Sequence, residues 1–108
     1  MTAPIAHVEV DRYVISCLPV DHPEWARYSL FAVFRRNLGG WVVTDGVVNL
    51  DADGRRHYAS VASAADRAKY TFPSEVEALA VARQLAAVMA PNGKPVADVL
   101  REMAGDAS

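Results

Sequence analysis

Up to Phe72, short apolar runs alternate with turn residues; from Ser74 onward the apolar spacing becomes helical. In Val8-Glu9-Val10-Asp11 the apolar side chains fall on even positions, and in Tyr13-Val14-Ile15-Ser16-Cys17 the bulkier ones fall on odd positions. This slip of phase near Asp11-Arg12 predicts a bulge, or a break into two short strands. Pro19 and Pro23 end regular pairing and leave Asp21-His22-Pro23-Glu24-Trp25 as a loop. Ser29 to Arg36 reads as a second strand, with Leu30, Ala32 and Phe34 on one face and Phe31 and Val33 on the other. Apolar groups on both faces predict a central position in the sheet. Asn37-Leu38-Gly39-Gly40 is a turn. Asp45-Gly46 between Trp41–Thr44 and Val47–Leu50 is a hairpin signal, the alternative being one long strand bulged at Gly46. Asp51-Ala52-Asp53-Gly54 turns the chain again, and Arg55 to Val61 is the returning strand, with His57, Ala59 and Val61 on one face. Ala62 to Arg67 reads as a loop or a short helical turn. Ala68 to Phe72 alternates and is expected as a last strand.

Ser74-Glu75-Val76-Glu77 matches a capping box, in which the Ser74 hydroxyl accepts from the Glu77 amide and the Glu77 carboxylate reaches back. The helix it opens is expected to run to about Ala90, before Pro91-Asn92-Gly93. Ala78, Val81, Ala82, Leu85, Val88 and Met89 share its inner face. Ala78, Ala82 and Ala86 form a small-residue stripe that lets a helix lie close to a sheet. A second helix starts at Pro95 or Val96 and carries Val96, Val99, Leu100 and Met103 at i, i+3, i+4 and i+7, with Gly105 placed to end it. Strands first and helices last is the α+β pattern: an antiparallel sheet of about five strands followed by two C-terminal helices on one face. No parallel βαβ unit is visible, so no dinucleotide-binding crevice is expected. With 108 residues and no linker or repeat, the chain is read as one domain, 1–108, with one core.

Composition narrows the class. Hydrophobic residues are 52% and charged ones 22%, which excludes a disordered tail, a collagen-like chain and a disulfide-stapled toxin. Cys17 is the only cysteine, so no disulfide forms within the chain. Met1-Thr2-Ala3-Pro4 lacks the basic and apolar regions of a secretory signal, and a reduced cytoplasm is the expected location. The net charge of -2 is unlike that of a domain built to grip nucleic acid. The charge is uneven, however. Up to residue 26, Arg12 stands against four acids, whereas between residues 27 and 69 seven bases outnumber four acids.

Candidate chemistry is sparse. No Gly-x-Ser-x-Gly elbow is present, and Gly39-Gly40 is followed by Trp41-Val42 rather than by a lysine and a helix. Cys17 with Asp21 and His22 is the one compact nucleophile-like cluster, and Cys17 reads more simply as a small buried hydrophobe. His7, His22 and His57 lie on separate elements without ligand spacing. Asp51-x-Asp53-Gly54 begins like a calcium loop, but Ala62 stands where the bidentate glutamate belongs. No catalytic residue, metal or cofactor is therefore assigned. Aromatic residues on the proline-bracketed loop make Trp25 and Tyr28, with His22, the candidate protein-binding residues. The exposed Ala80 and Ala87, flanked by Val76, would also admit a helix partner or a second copy. For nucleic acid, Arg35, Arg36, Arg55 and Arg56 are the candidates, with Arg67 and Lys69 nearby and Trp41, Tyr58 or Tyr70 as stacking faces.

Two resemblances bear on function. Trp41-Val42-Val43, Gly54-Arg55-Arg56 and Phe72-Pro73-Ser74 leading into Glu77-Ala78 resemble the arm-type DNA-binding domain of tyrosine integrases, three strands and a helix, over residues 41 to about 85. The strongly basic sheet face of those domains is missing here. Across most of the chain, Tyr13 to Pro19, Asp51 to Gly54, Phe72 before the capped helix and Asn92-Gly93-Lys94 before the last one resemble small accessory proteins of actinobacteria and their phages. Nineteen alanines, and nine arginines against two lysines, fit the GC-rich genomes of that group. That likeness implies a cytoplasmic accessory protein that modulates a host or partner protein by contact. The expectation is thus a non-enzymatic protein acting through protein–protein contact, a homodimer included, with a nucleic-acid-binding module as the alternative and no membrane association.

Overall fold

The computed structural model describes residues 3–106. Strands β1 (Arg12–Ser16), β2 (Ser29–Arg35) and β3 (Gly40–Thr44) form an antiparallel meander. The outer side of β3 is shared. Its second half pairs with β4 (Asn49–Leu50), which pairs with β5 (Arg56–His57). Its first half pairs with β6 (Thr71–Phe72). Helix α1 (Ala64–Tyr70) precedes β6, and α2 (Glu75–Ala86) and α3 (Val96–Asp106) follow it. The expected α+β architecture is present, with a sixth short strand and a third helix.

Register explains which residues meet. Phe34 opposes Trp41, Ala32 opposes Val43, and Val43 opposes Leu50, so these side chains share one face. There α2 lays Ala78, Ala82 and Ala86 against Leu30, Ala32, Trp41, Val43, Leu50 and Phe72. All three alanines are buried, so the small-residue stripe sets the close seating of helix on sheet. A second cluster, Leu18, Tyr28, Val96 and Val99, holds α3 against the loop after β1, and Met89 touches both clusters.

Gly40 marks the tightest approach. A Cβ there would lie 2.7 Å from the Phe72 carbonyl oxygen and 2.9 Å from Thr71 Cγ2. The Asp45-Gly46 signal is a true hairpin: Asp45 Oδ1 accepts from the amides of Val47 and Val48, and Gly46 takes a positive φ of 102°.

Several expectations are corrected. Residues 8–11 form no strand, because β2 turns away at Arg36 and leaves them nothing to pair with. One bond continues the ladder, from the Phe34 amide to the Asp11 carbonyl at 2.8 Å. The strand expected over Arg55–Val61 is only Arg56–His57; Ala59–Val61 is a 3-10 turn whose Val61 is exposed, without a face to bury. Ala68 to Tyr70 belong to α1, not to a strand. That helix is opened by a complete capping box, in which Ser63 Oγ accepts from the Asp66 amide and Asp66 Oδ2 accepts from the Ser63 amide. At α2 only the Ser74 half of the expected box forms. That helix ends at Ala86, so Val88 is exposed. Helix α3 runs through Gly105, whose backbone lacks the left-handed φ of a terminating glycine.

Candidate functional site: an aromatic, acidic groove

Strand parity puts Tyr13, Phe34 and Trp41 on the α2 face, but beyond the first turn of that helix. Trp41 is also part of the core under α2, while on this side the three rings pack on one another. The ring centroids of Tyr13 and Trp41 are 5.9 Å apart, and those of Phe34 and Trp41 are 5.8 Å apart. Phe34 stays 40% exposed, a large apolar ring at the surface. The chain entering β1 forms one wall with Glu9, Val10 and Asp11, and Glu75 at the head of α2 forms the other. The resulting groove holds about 480 Å³. Three carboxylates and three aromatic rings line it, and no basic side chain does.

The groove has a fixed corner. The Tyr13 hydroxyl donates to Glu75 Oε1 at 2.8 Å, and this hydrogen bond to a carboxylate pushes the Tyr13 phenol above its usual range. Arg12, the base nearest in sequence, points to the opposite face, where its guanidinium lies 4.4 Å from the Phe31 ring centroid. Glu9 and Asp11 line the groove, and neither belongs to an ion pair among the described residues. An aromatic floor with an acidic rim favours a cation through ring quadrupoles and direct charge.

The loop candidates lie elsewhere. Tyr28 is 2% exposed, and its hydroxyl donates to the Lys94 carbonyl at 2.8 Å, so it offers no contact surface. Trp25 is half-buried against the α3 cluster and acts as a lid on that end of the core. His22 Nδ1 accepts from the Glu24 amide at 2.9 Å and shapes the loop. The charges around them are paired internally, Arg27 with Glu24 and Lys94 with Glu102, the latter bond raising the Lys94 ammonium. The loop fastens α3 to the sheet. Cys17, expected to be buried, is exposed. No cluster of histidine, cysteine and acidic side chains able to hold a metal occurs among the described residues.

Of the four candidate arginines, Arg35 and Arg56 do not converge. Arg35 opposes Gly40, on the face of Val33 and Thr44. Arg56 opposes Leu50, on the α2 face, and its guanidinium is 3.5 Å from Asp45. The sheet lies between them.

The Asp51–His57 pair was missed at the sequence level. His57 Nε2 lies 2.9 Å from Asp51 Oδ2, while Asp51 Oδ1 accepts from the amides of Asp53 and Arg55. Burial pushes the Asp51 carboxyl up, but the His57 ring and these two amides together hold it below its usual value. The His57 ring also packs on Tyr70 of α1, at 5.6 Å between centroids. Both carboxylate oxygens are engaged, so the pair ties the β4–β5 turn to α1. The Asp-x-Asp-Gly spacing was the available signal, read as a turn without its histidine.

No described helix is long and apolar enough to cross a membrane. Comparison with family models, curated proteins and solved structures finds no match to this chain.

Proposed function

We propose that this chain is a non-enzymatic interaction protein, and that it docks a partner protein by taking a basic segment of that partner into the groove of Tyr13, Phe34 and Trp41. One observation carries the reading: three aromatic rings, one of them surface-exposed, share a recess with three carboxylates and no base. Interface anchors are typically aromatic side chains in such recesses, with charge at the rim setting the choice of partner. The opposed positions of Arg35 and Arg56 weigh against a nucleic-acid-binding module, which needs its bases on one continuous surface.

The test is tryptophan fluorescence titration with a short arginine- and lysine-containing peptide and with an acidic peptide of equal length. The basic peptide is expected to bind and to weaken about tenfold in Phe34→Ser, a loss that one buried aromatic contact accounts for. Asp11→Asn is expected to weaken binding less and to reduce its salt dependence. Equal affinity for both peptides, or an unchanged affinity in Phe34→Ser, would refute the reading. Sedimentation of the protein alone decides whether a second copy is the partner.

A further inference from the structure

The second face of the sheet carries another recess, independent of the groove. Helix α1 covers this face only in part, bringing Tyr70 over the His57 end and leaving a cleft of about 610 Å³. Arg35, Asn37, Thr44, Asn49, Arg67 and Tyr70 line it, and no carboxylate does. The nearby acids are committed elsewhere: Asp45 to its own turn and Arg56, and Asp66 to the cap of α1. Neither Arg35 nor Arg67 belongs to an ion pair among the described residues. Arg67 Nη1 donates to the Ala62 carbonyl at 3.0 Å, which holds its guanidinium in place and leaves its other donors free.

Tyr70 supplies a separate indication. It is 1% exposed, it lines the cleft, and its hydroxyl makes no hydrogen bond to a described residue. Tyr13 and Tyr28, the other two tyrosines that are not exposed, both donate, to Glu75 and to the Lys94 carbonyl. The Tyr70 hydroxyl, not enclosed by protein and without a described partner, stands beside two arginines without counter-charges, a set of donors suited to an acceptor-rich anion.

We propose that this cleft binds the phosphoryl group of a small phosphomonoester, held by Arg35 and Arg67 with the Tyr70 hydroxyl as a third donor. A dianion matches two guanidiniums, whose planar forks suit phosphate oxygens. The volume lies in the range of small-ligand sites and leaves room for the organic part. The amides of Asn37 and Asn49 line that remaining room. A nucleic-acid strand fits less well, because Arg36, Arg55 and Arg56 do not extend the cleft into a track.

The experiment is an NMR titration of the whole chain with inorganic phosphate, a nucleoside monophosphate, the same nucleoside without phosphate, and a short single-stranded oligonucleotide. The monophosphate is expected to give saturable shifts on β2, α1 and the β3–β4 turn, tighter than inorganic phosphate, while the bare nucleoside gives none. Arg35→Gln and Arg67→Gln are each expected to weaken binding about tenfold, and Tyr70→Phe about fivefold, typical of losing one charge-assisted or one neutral hydrogen bond. Arg36→Gln, outside the cleft, is expected to leave binding unchanged. Absence of saturable shifts with either phosphate probe overturns the proposal, as does equal binding by the Arg35→Gln/Arg67→Gln double variant. Oligonucleotide binding that is much tighter than the monophosphate, with a steep salt slope, also overturns it by making the cleft part of a nucleic-acid surface.

Discussion

The two faces of this sheet are finished in opposite ways. On one face a twelve-residue helix seats three alanines directly on the strands, and the contact is buried and continuous. On the other face a seven-residue helix covers one end and buries a single tyrosine. Beyond α1, Val14 remains 45% exposed and Phe31 is partly covered by Arg12. The difference follows from side-chain size. Alanines let a helix approach until backbone and sheet side chains touch, leaving no recess beneath it, and recesses form around its margins. The groove of Tyr13, Phe34 and Trp41 begins where α2 ends its cover, and the arginine cleft begins where α1 ends its own. Stability resides in the α2 face, and chemistry is available at the two places a helix leaves bare.

The seam between the two halves of the sheet gives the largest expected effect. Gly40→Ala drives a Cβ into the Phe72 carbonyl, a backbone atom that cannot rotate away. The expected cost is about 2–4 kcal/mol, at the upper end for overpacking, read as a lower midpoint in urea unfolding. A midpoint within error of the parent would mean that β6 is not seated on β3.

Ala82→Leu sharpens the contrast between faces. Ala82 is fully buried under α2, and the three added heavy atoms have nowhere to go. A loss of about 1–3 kcal/mol is expected, against less than about 0.5 kcal/mol for Ala80→Leu on the exposed side of the same helix. Equal effects at the two positions would show that the helix face has been misassigned.

Much of this division was legible in the sequence, and the failures have a common cause. Ser74 with the period of Ala78, Ala82 and Leu85 located α2, because a helix writes its cap and its buried face within a few turns of chain. Alternation also placed Leu30, Ala32 and Phe34 on one face. Helix α1 was half legible: a short helical turn over Ala62 to Arg67 was one of two readings, but the helix buries only Tyr70 and so has no periodicity to decide it or to carry it on to Tyr70. Val8-Glu9-Val10 had the alternation of a strand, but a strand needs a neighbour, and β2 leaves at Arg36. Both recesses depend on register. Parity separates Arg35 from Arg56 only once Leu50 is known to oppose Arg56. Likewise Tyr13 meets Trp41 only because β2 lies between their strands.

Asp51→Asn tests the tie between the β4–β5 turn and α1. The folded carboxyl titrates below its usual value of 3.8, so its charged form stabilises the fold. That contribution is complete above the unfolded pKa and is lost as pH falls through the folded one. The variant is expected to be less stable than the parent by about 1–2 kcal/mol at neutral pH, with the gap closing below about pH 4. Unfolding curves taken across that range check it, and a gap that persists unchanged into acid would show that the charge of Asp51 contributes nothing.

Thr71→Val gives the smallest shift and is informative through its sign. Thr71 Oγ1 is the one buried side-chain polar atom without a hydrogen-bond partner among the described residues. It opposes Val42 on the α1 face, where packing is less continuous than under α2. Valine keeps the branched shape and removes the unbonded hydroxyl, so a gain of about 0.5–1.5 kcal/mol is expected, or a few degrees in Tm. Destabilisation instead would mean that a water reaches the hydroxyl and bonds to it, since removing a satisfied group costs stability. The α1 face would then be wet as deep as β6. Its contrast with the close-packed α2 face would run through the whole thickness of the sheet rather than stopping at the cleft.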